Sequence, residues 1–294
     1  MGAKTYLALA AGVFALSTSA IFVRLADAPS STVAFYRLFI AAIALAPALL
    51  ASRACRRELA GIESSQWRLI AFAGVLLALH YVLWFESLRL TSVASSIVIV
   101  CLQPVFSLAF DRFISKRKVP ASSLAGCAIA LFGCAVIGMG DYQLSAESFL
   151  GDVLAFVAAG VIALYFFVGE KARQDTSALT YSTLGYFVSA LALLAYMALC
   201  GDPAVGFSQE TWLSFLGIAL ISTVGGQFVF NLLLKRLPAS AVTMGILGEP
   251  VGTCVLAWAV LGESMTAQQF AGMALIMAGM AVYFVVPVLK DRGR

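Results

Sequence analysis

The sequence holds very little charge. Only 12% of its 294 residues are Asp, Glu, Lys or Arg, about half the share of a soluble domain, while 62% are apolar. No water-soluble fold could hide that excess. There is one histidine, His80, and no HExxH pattern, so a zincin-type metal site is excluded. GxSxG and P-loop patterns are absent as well, and no aspartate lies clearly inside an apolar run. An intramembrane protease or hydrolase would need one of those constellations, so a membrane enzyme is disfavoured. Six cysteines occur without CxxC or a Cys/His cluster. Cys101, Cys127, Cys134 and Cys254 lie inside apolar runs, and Cys55 and Cys200 near the ends of such runs. They read as small packing residues, and no metal or other cofactor is implied. The net charge of +4 is spread over short clusters, which argues against a nucleic-acid partner. No segment between apolar runs is long enough for a soluble domain, which disfavours a receptor or scaffold.

What the chain does have is long apolar runs. A bilayer span needs about 20 such residues, and on that scale the sequence predicts ten, over 5–24, 32–50, 68–87, 92–113, 121–139, 149–168, 179–199, 212–233, 239–261 and 268–287. The breaks carry turn and charge punctuation: Asp27 with Pro29, Arg53 to Glu63, Lys116 to Pro120, Asp141 to Ser148, Asp202 with Pro203, and Lys235 to Pro238. The first run follows Lys4 in the manner of a signal peptide, but a similar run opens the second half, so it is read as a retained span.

Lys and Arg near span ends stay on the cytoplasmic side. With the N-terminus inside, the cytoplasmic segments hold Lys4, Arg53, Arg56, Arg57, Arg68, Arg112, Lys116, Arg117, Lys118, Lys171, Arg173, Lys235, Arg236, Lys290, Arg292 and Arg294. That is sixteen against two, Arg24 and Arg89, on the other side. Both termini are therefore expected in the cytoplasm, and the outer segments are acidic: Asp141, Glu147, Asp152, Asp202, Glu210 and Glu263. Trp67 and Trp212 open spans three and eight as interfacial anchors.

The two halves repeat. Trp67 aligns with Trp212, Leu90 and Ala94 with Leu237 and Ala241, and Pro104, Gly126 and Gly133 with Pro250, Gly272 and Gly279, at offsets of 145 to 147 residues. Each unit, 1–145 and 146–294, holds an odd number of spans, so the second copy enters the membrane upside down. The fold class expected is an all-α membrane protein of ten transmembrane helices in two inverted five-helix repeats. Such repeats are the architecture of secondary transporters, because two similar halves can exchange conformations and open alternately to each side.

The stretches Ser19-Ala20-Ile21-Phe22-Val23-Arg24-Leu25 and Phe35-Tyr36-Arg37-Leu38, with Glu249-Pro250-Val251, Leu261-Gly262-Glu263, Gly272 and Gly279, are similar to the opening and closing patterns of the drug/metabolite transporter superfamily, EamA type. One departure is Ser115-Lys116-Arg117 in the first half where the second has Leu261-Gly262-Glu263. The resemblance implies two bundles, spans one to four and six to nine, flanking a central cavity, with spans five and ten peripheral. Within the superfamily the chain resembles bacterial aromatic amino acid exporters. It implies an inner-membrane exporter of small metabolites, with lipid as its surroundings and a monomer or weak homodimer as its state. A drug/cation efflux antiporter and an importer stay open, although the small multidrug class relies on a carboxylate in its first span and none is present here.

Ionisable side chains inside a bilayer are costly, about 2.5–3.5 kcal/mol at a helix centre on insertion scales. His80 lies about 18 Å into span three and reads as a cavity-lining donor or acceptor, or as a neutral histidine bonded between helices. The small, polar counterpart Gly225-Gly226-Gln227 in span eight favours the cavity. Glu249 is the deepest carboxylate; burial penalises its charged form, so it could couple protons or bond a neighbouring helix. Its counterpart Gln103 cannot titrate. Pro104 and Pro250 occupy matching places in spans four and nine and read as hinges. Ser92, Ser95 or Ser96, Ile99 and Gln103 form a mildly polar stripe, and Tyr81, Trp84 and Tyr165 offer flat walls with polar tips. Arg37 lies about 9 Å from the outer end of span two, where its guanidinium is expected to reach the interface or a structural partner. Ser122, Gly126 and Ala130 form a small-xxx-small series suited to packing within the fold or to a dimer contact.

Overall fold

The computed structural model describes residues 3–138, 145–262 and 264–292; Asp141, Glu263 and Arg294 lie outside them. Among the described residues there are ten helices or helix pairs long and apolar enough to cross a membrane. The elements in chain order are α1 (Ala3–Leu25), α2 (Ser30–Ala51), α3 (Arg53–Ala60), α4 (Ser64–Leu90), α5 (Val93–Val100), α6 (Gln103–Phe113), α7 (Ala121–Gly138), α8 (Ala146–Asp175) and α9 (Ala178–Cys200). The remainder are α10 (Gln209–Gly217), a π-helix (Ile218–Gln227), α11 (Phe228–Leu233), α12 (Ala239–Ile246), α13 (Glu249–Leu261) and α14 (Ala267–Arg292).

Three of the expected spans are interrupted. Span four is α5 and α6, span nine is α12 and α13, and span eight runs as α10, the π-helix and α11. The basic stretch after span two is itself a short helix, α3, capped by Ser52, whose hydroxyl accepts from Cys55 N. Glu147 and Glu210 sit in the first turns of α8 and α10, and Asp152 lies further along α8, so none of the three is in a loop.

The packing of the ten spans obeys one two-fold relation. The first span packs on the eighth as the third does on the sixth, the first on the ninth as the fourth does on the sixth, and the second on the eighth as the seventh does on the third. The second packs on the seventh and the fifth on the tenth, each against its own counterpart, so the axis passes through those two pairs. At the α7–α14 contact a Cβ on Gly126 would stand 2.6 Å from Gly279 O, and one on Gly133 would stand 2.7 Å from Gly272 O. Gly126 corresponds to Gly272 and Gly133 to Gly279, so counterparts cross head to tail, as antiparallel copies require. Lipid tails are as apolar as leucine, so helices associate here by close van der Waals approach, which only small residues permit. This corrects the dimer option for the small-residue series: Gly126 and Ala130 are covered by α14 of the same chain.

Candidate functional site

The interior between the halves is built by the broken helices. In α5–α6 the chain tightens to i→i+3 hydrogen bonds, Leu102 N to Ile99 O and Val105 N to Leu102 O, and α12–α13 repeats this with Gly248 N to Gly245 O. Gln103 and Glu249 are therefore the first residues of new half-helices, and Pro104 and Pro250 sit in their first turns, where a missing N–H costs nothing. The prolines are expected inside bent helices; the structure instead interrupts the α-helical hydrogen-bond ladder with a tight right-handed turn just before each of them.

Of the two expected places for Arg37, the interface or a structural partner, the structure shows the second. It is buried in α2, with Nε donating to Thr223 Oγ1 at 2.9 Å and Nη1 to Ser19 Oγ at 3.1 Å. Its guanidinium lies 5.1 Å from the centre of the Tyr81 ring. The π-helix explains the geometry: its wider turns let Thr223 Oγ1 donate to Ile218 O, five residues back, while its lone pairs face Arg37. Span one and span eight wrap this side chain, so it cannot reach the interface. Among the described residues no carboxylate is within ion-pair distance of it.

Glu249 gives its backbone oxygen to Ser17 Oγ at 3.1 Å, but its carboxylate makes no hydrogen bond or ion pair among the described residues. The side chain is only partly covered although it lies deep in span nine. His80 Nδ1 is 3.1 Å from Ala158 O; a carbonyl only accepts, so Nδ1 carries the hydrogen and Nε2 is left over. The imidazole stacks on Trp84, ring centres 6.1 Å apart and 12° from parallel.

Three expected site residues carry buried polar atoms with no hydrogen-bond partner among the described residues: Trp84 Nε1, Gln103 Oε1 and Gln227 Nε2. Tyr181 Oη and Thr183 Oγ1 on α9 share this condition. Such atoms are rare in native interiors because each costs about 1–3 kcal/mol. Gly185, on the same helix, is buried yet has open space where a Cβ would point.

Other expected residues are committed elsewhere. Tyr165 donates to Asn231 Oδ1 at 3.0 Å, and Asn231 Nδ2 donates to Ser182 Oγ and lies 3.3 Å from Tyr186 Oη, tying α8, α9 and α11 together. Ser95 donates to Asp152 Oδ1 at 2.8 Å, and Ser87 to Ser96 at 2.9 Å, so the expected stripe on span four is divided. Ile99 is partly buried. Gly226 lets α1 approach closely, with a Cβ position 3.0 Å from Gly12 O, so the small residues of span eight serve that contact and do not line a cavity. Asn231, Tyr186 and Thr223 went unread; only Asn231, one amide amid Phe-Val-Phe and Leu-Leu-Leu, carried a visible signal.

At the end of the bundle bearing the α6–α7 connection, Arg117 reaches across the halves. Nη1 bonds Asp111 Oδ1 at 2.9 Å and Nη2 bonds Glu170 on α8. Asp111 also accepts from Ser240, and Glu170 Oε2 accepts from Ala239 N at 2.8 Å. Bonding to Glu170, and then the charge and bonding of Asp111, hold the guanidinium above even the usual arginine range. Asp111, inside the run 92–113 but not read there as clearly intramembrane, is thus buried within α6. A cleft beside this clasp is lined by Tyr6, Leu108, Pro238, Ser240 and Tyr283.

Comparison with known proteins fits this architecture. The model of the EamA-like transporter family matches twice, over residues 3–139 and 149–285. The chain is 24% identical over 203 residues to an uncharacterized transporter of Clostridium kluyveri, covering 66% of this chain and 64% of that one. It is 27% identical over 190 residues to a probable amino-acid metabolite efflux pump of Escherichia coli, covering 61% and 63%. The matched stretches thus span under two thirds of either relative's length. A solved crystal structure superposes over the whole of both chains with a TM-score of 0.81 at 17% identity, which shows a common fold. With both halves matched separately, the chain belongs to the EamA-like transporter family.

Proposed function

We propose that this protein exports small metabolites, amino acids and aromatic ones in particular, across the bacterial inner membrane by alternating access. The units 1–145 and 146–294 are the two moving halves, and both termini face the cytoplasm. The observation that carries this reading is the set of uncompensated polar groups between the halves: Trp84 Nε1, Gln103 Oε1, Gln227 Nε2 and the Glu249 carboxylate. A helix bundle built only for packing would be more stable without them. A solute with donors, acceptors and a flat apolar body would satisfy them against Tyr81 and Trp84. The Escherichia coli relative, named as a probable amino-acid metabolite efflux pump, supports the substrate class. On the proposed topology the Arg117 clasp closes the cytoplasmic end, and the half-helix breaks at Gln103 and Glu249 are the hinges.

The test is counterflow of labelled phenylalanine in proteoliposomes with the purified protein, with and without a pH gradient. Accumulation above protein-free vesicles is expected, and Gln103→Ala should reduce it. No accumulation of any amino acid would refute the substrate class. Dependence on the gradient would bring Glu249 in as a proton carrier, and independence would leave it as a binding group.

A further inference from the structure

We infer that Arg37 is the anchor for a carboxylate on the transported solute, so that the site selects carboxylate-bearing molecules against amines and cationic drugs. This rests on the transport reading above and names the chemistry of its substrate.

A buried cation in a membrane protein is paired with an anion, with backbone carbonyls, or with water in a path. Arg37 has only two neutral hydroxyl partners, Thr223 and Ser19, and the face of Tyr81. Its Nη2 makes no hydrogen bond among the described residues. Guanidinium is a planar fork suited to carboxylate, and Nη2 is the arm left without a partner among the described residues. Neutral contacts of this kind orient the group without neutralising it, so the positive charge stays available.

The rest of the interior agrees. Glu249, on span nine, is also without an ion-pair partner among the described residues and is not paired with Arg37. A guanidinium and a carboxyl group that do not pair with each other match the two polar ends of an amino acid. Tyr81 and Trp84, next to Arg37 and His80, would then take the apolar body. An organic cation would gain from Glu249 but would be repelled by Arg37. The signal in sequence was the Arg37 charge itself; its depth suggested the interface because nothing in the sequence shows that spans one and eight enclose it.

The test compares L-phenylalanine with L-phenylalaninamide and phenethylamine. The amide replaces the carboxylate by a neutral group of similar size, and phenethylamine lacks it altogether. Binding is measured by thermal stabilisation of the detergent-solubilised protein at about pH 6, where all three carry a charged amino group. The expected result is a preference for the carboxylate form of about tenfold or more in the wild type, the usual effect of a charge-assisted bond. In Arg37→Gln that preference should collapse to near unity while amide binding persists, and Arg37→Lys should keep part of it. Equal wild-type binding of acid and amide would overturn the inference and leave amino-acid transport standing. Retention of the preference in a folded Arg37→Gln protein would overturn it as well, showing Arg37 to be a positioning residue. If the wild type binds none of the three and moves no amino acid, the transport reading fails first and takes this inference with it. Should Arg37→Gln fail to fold, the wild-type ratio alone decides.

Discussion

Replacing Arg117 by Gln should loosen the end of the molecule that it clasps. Arg117 is half exposed, with a side-chain accessibility of 44%, whereas its partners Asp111 and Glu170 are 6% and 10% accessible. Solvent screening limits the direct ion-pair contribution to about 1 kcal/mol. The larger effect is on the carboxylates, which lose a charged partner in a dry setting. Each keeps one neutral donor, Ser240 for Asp111 and Ala239 N for Glu170, so the additional cost is roughly 1–2 kcal/mol. A total of about 2–3 kcal/mol corresponds to a shift of roughly 30- to 150-fold in the balance between clasped and open forms. Amide hydrogen exchange reads this directly, because local opening exposes the backbone. Peptides covering α6 with its connection to α7, and α12, should exchange faster by about that factor, while the α7–α14 contact stays protected. Arg117→Gln and Glu170→Gln should be non-additive, since both break the same bond. The charge of Arg117, held above the usual arginine range by Glu170, is fully present below that range and lost only at higher pH. Raising pH from about 7 to about 9 should therefore leave the difference between wild type and Arg117→Gln unchanged. Unaltered exchange in these peptides, or strict additivity of the two variants, would refute the clasp.

Three further perturbations test the interior. Gly126→Leu places a side chain against the backbone of Gly279 and Tyr283 and should destabilise by about 1–3 kcal/mol, read as a lower melting temperature; an unchanged one would mean α7 and α14 do not meet there. Asn231→Leu strips the partner from the Tyr165 hydroxyl and from Ser182 and should cost about 2–3 kcal/mol, with no change in the acid-to-amide preference. Trp84→Phe removes an unpartnered indole N–H while keeping the stack on His80, so stability should hold or rise by about 1 kcal/mol while phenylalanine binding weakens. A marked loss of stability there would show that the indole nitrogen has a structural partner.

Much of the architecture was readable because lipid leaves few choices. Backbone polar groups must be satisfied within each span, so apolar length alone marks helices, and the ten runs are matched by ten spans. Duplication with an odd number of spans forces inversion, and the recurring Gly and Pro positions showed where copies correspond. The half-helix breaks were half legible: Pro104 and Pro250 announced a disturbance, but a kinked helix and two half-helices share the same proline.

What composition and spacing by themselves determined is one-dimensional: which residues lie in the bilayer, at what depth, and in which copy. What tertiary structure decided is who faces whom. Arg37 has the same depth whether it reaches outward to lipid headgroups or inward to Thr223 and Ser19, and only the packing of spans one and eight around it selects the second. Gly126 invites close approach, but its partner Gly279 is chosen by the two-fold axis between the halves. Asp111 and Arg117 are six residues apart, but Glu170 is 53 residues from Arg117 and meets it because α8 arrives at that end from the opposite copy. Side-chain direction about a helix axis depends on neighbouring helices, and hydropathy carries no information about those.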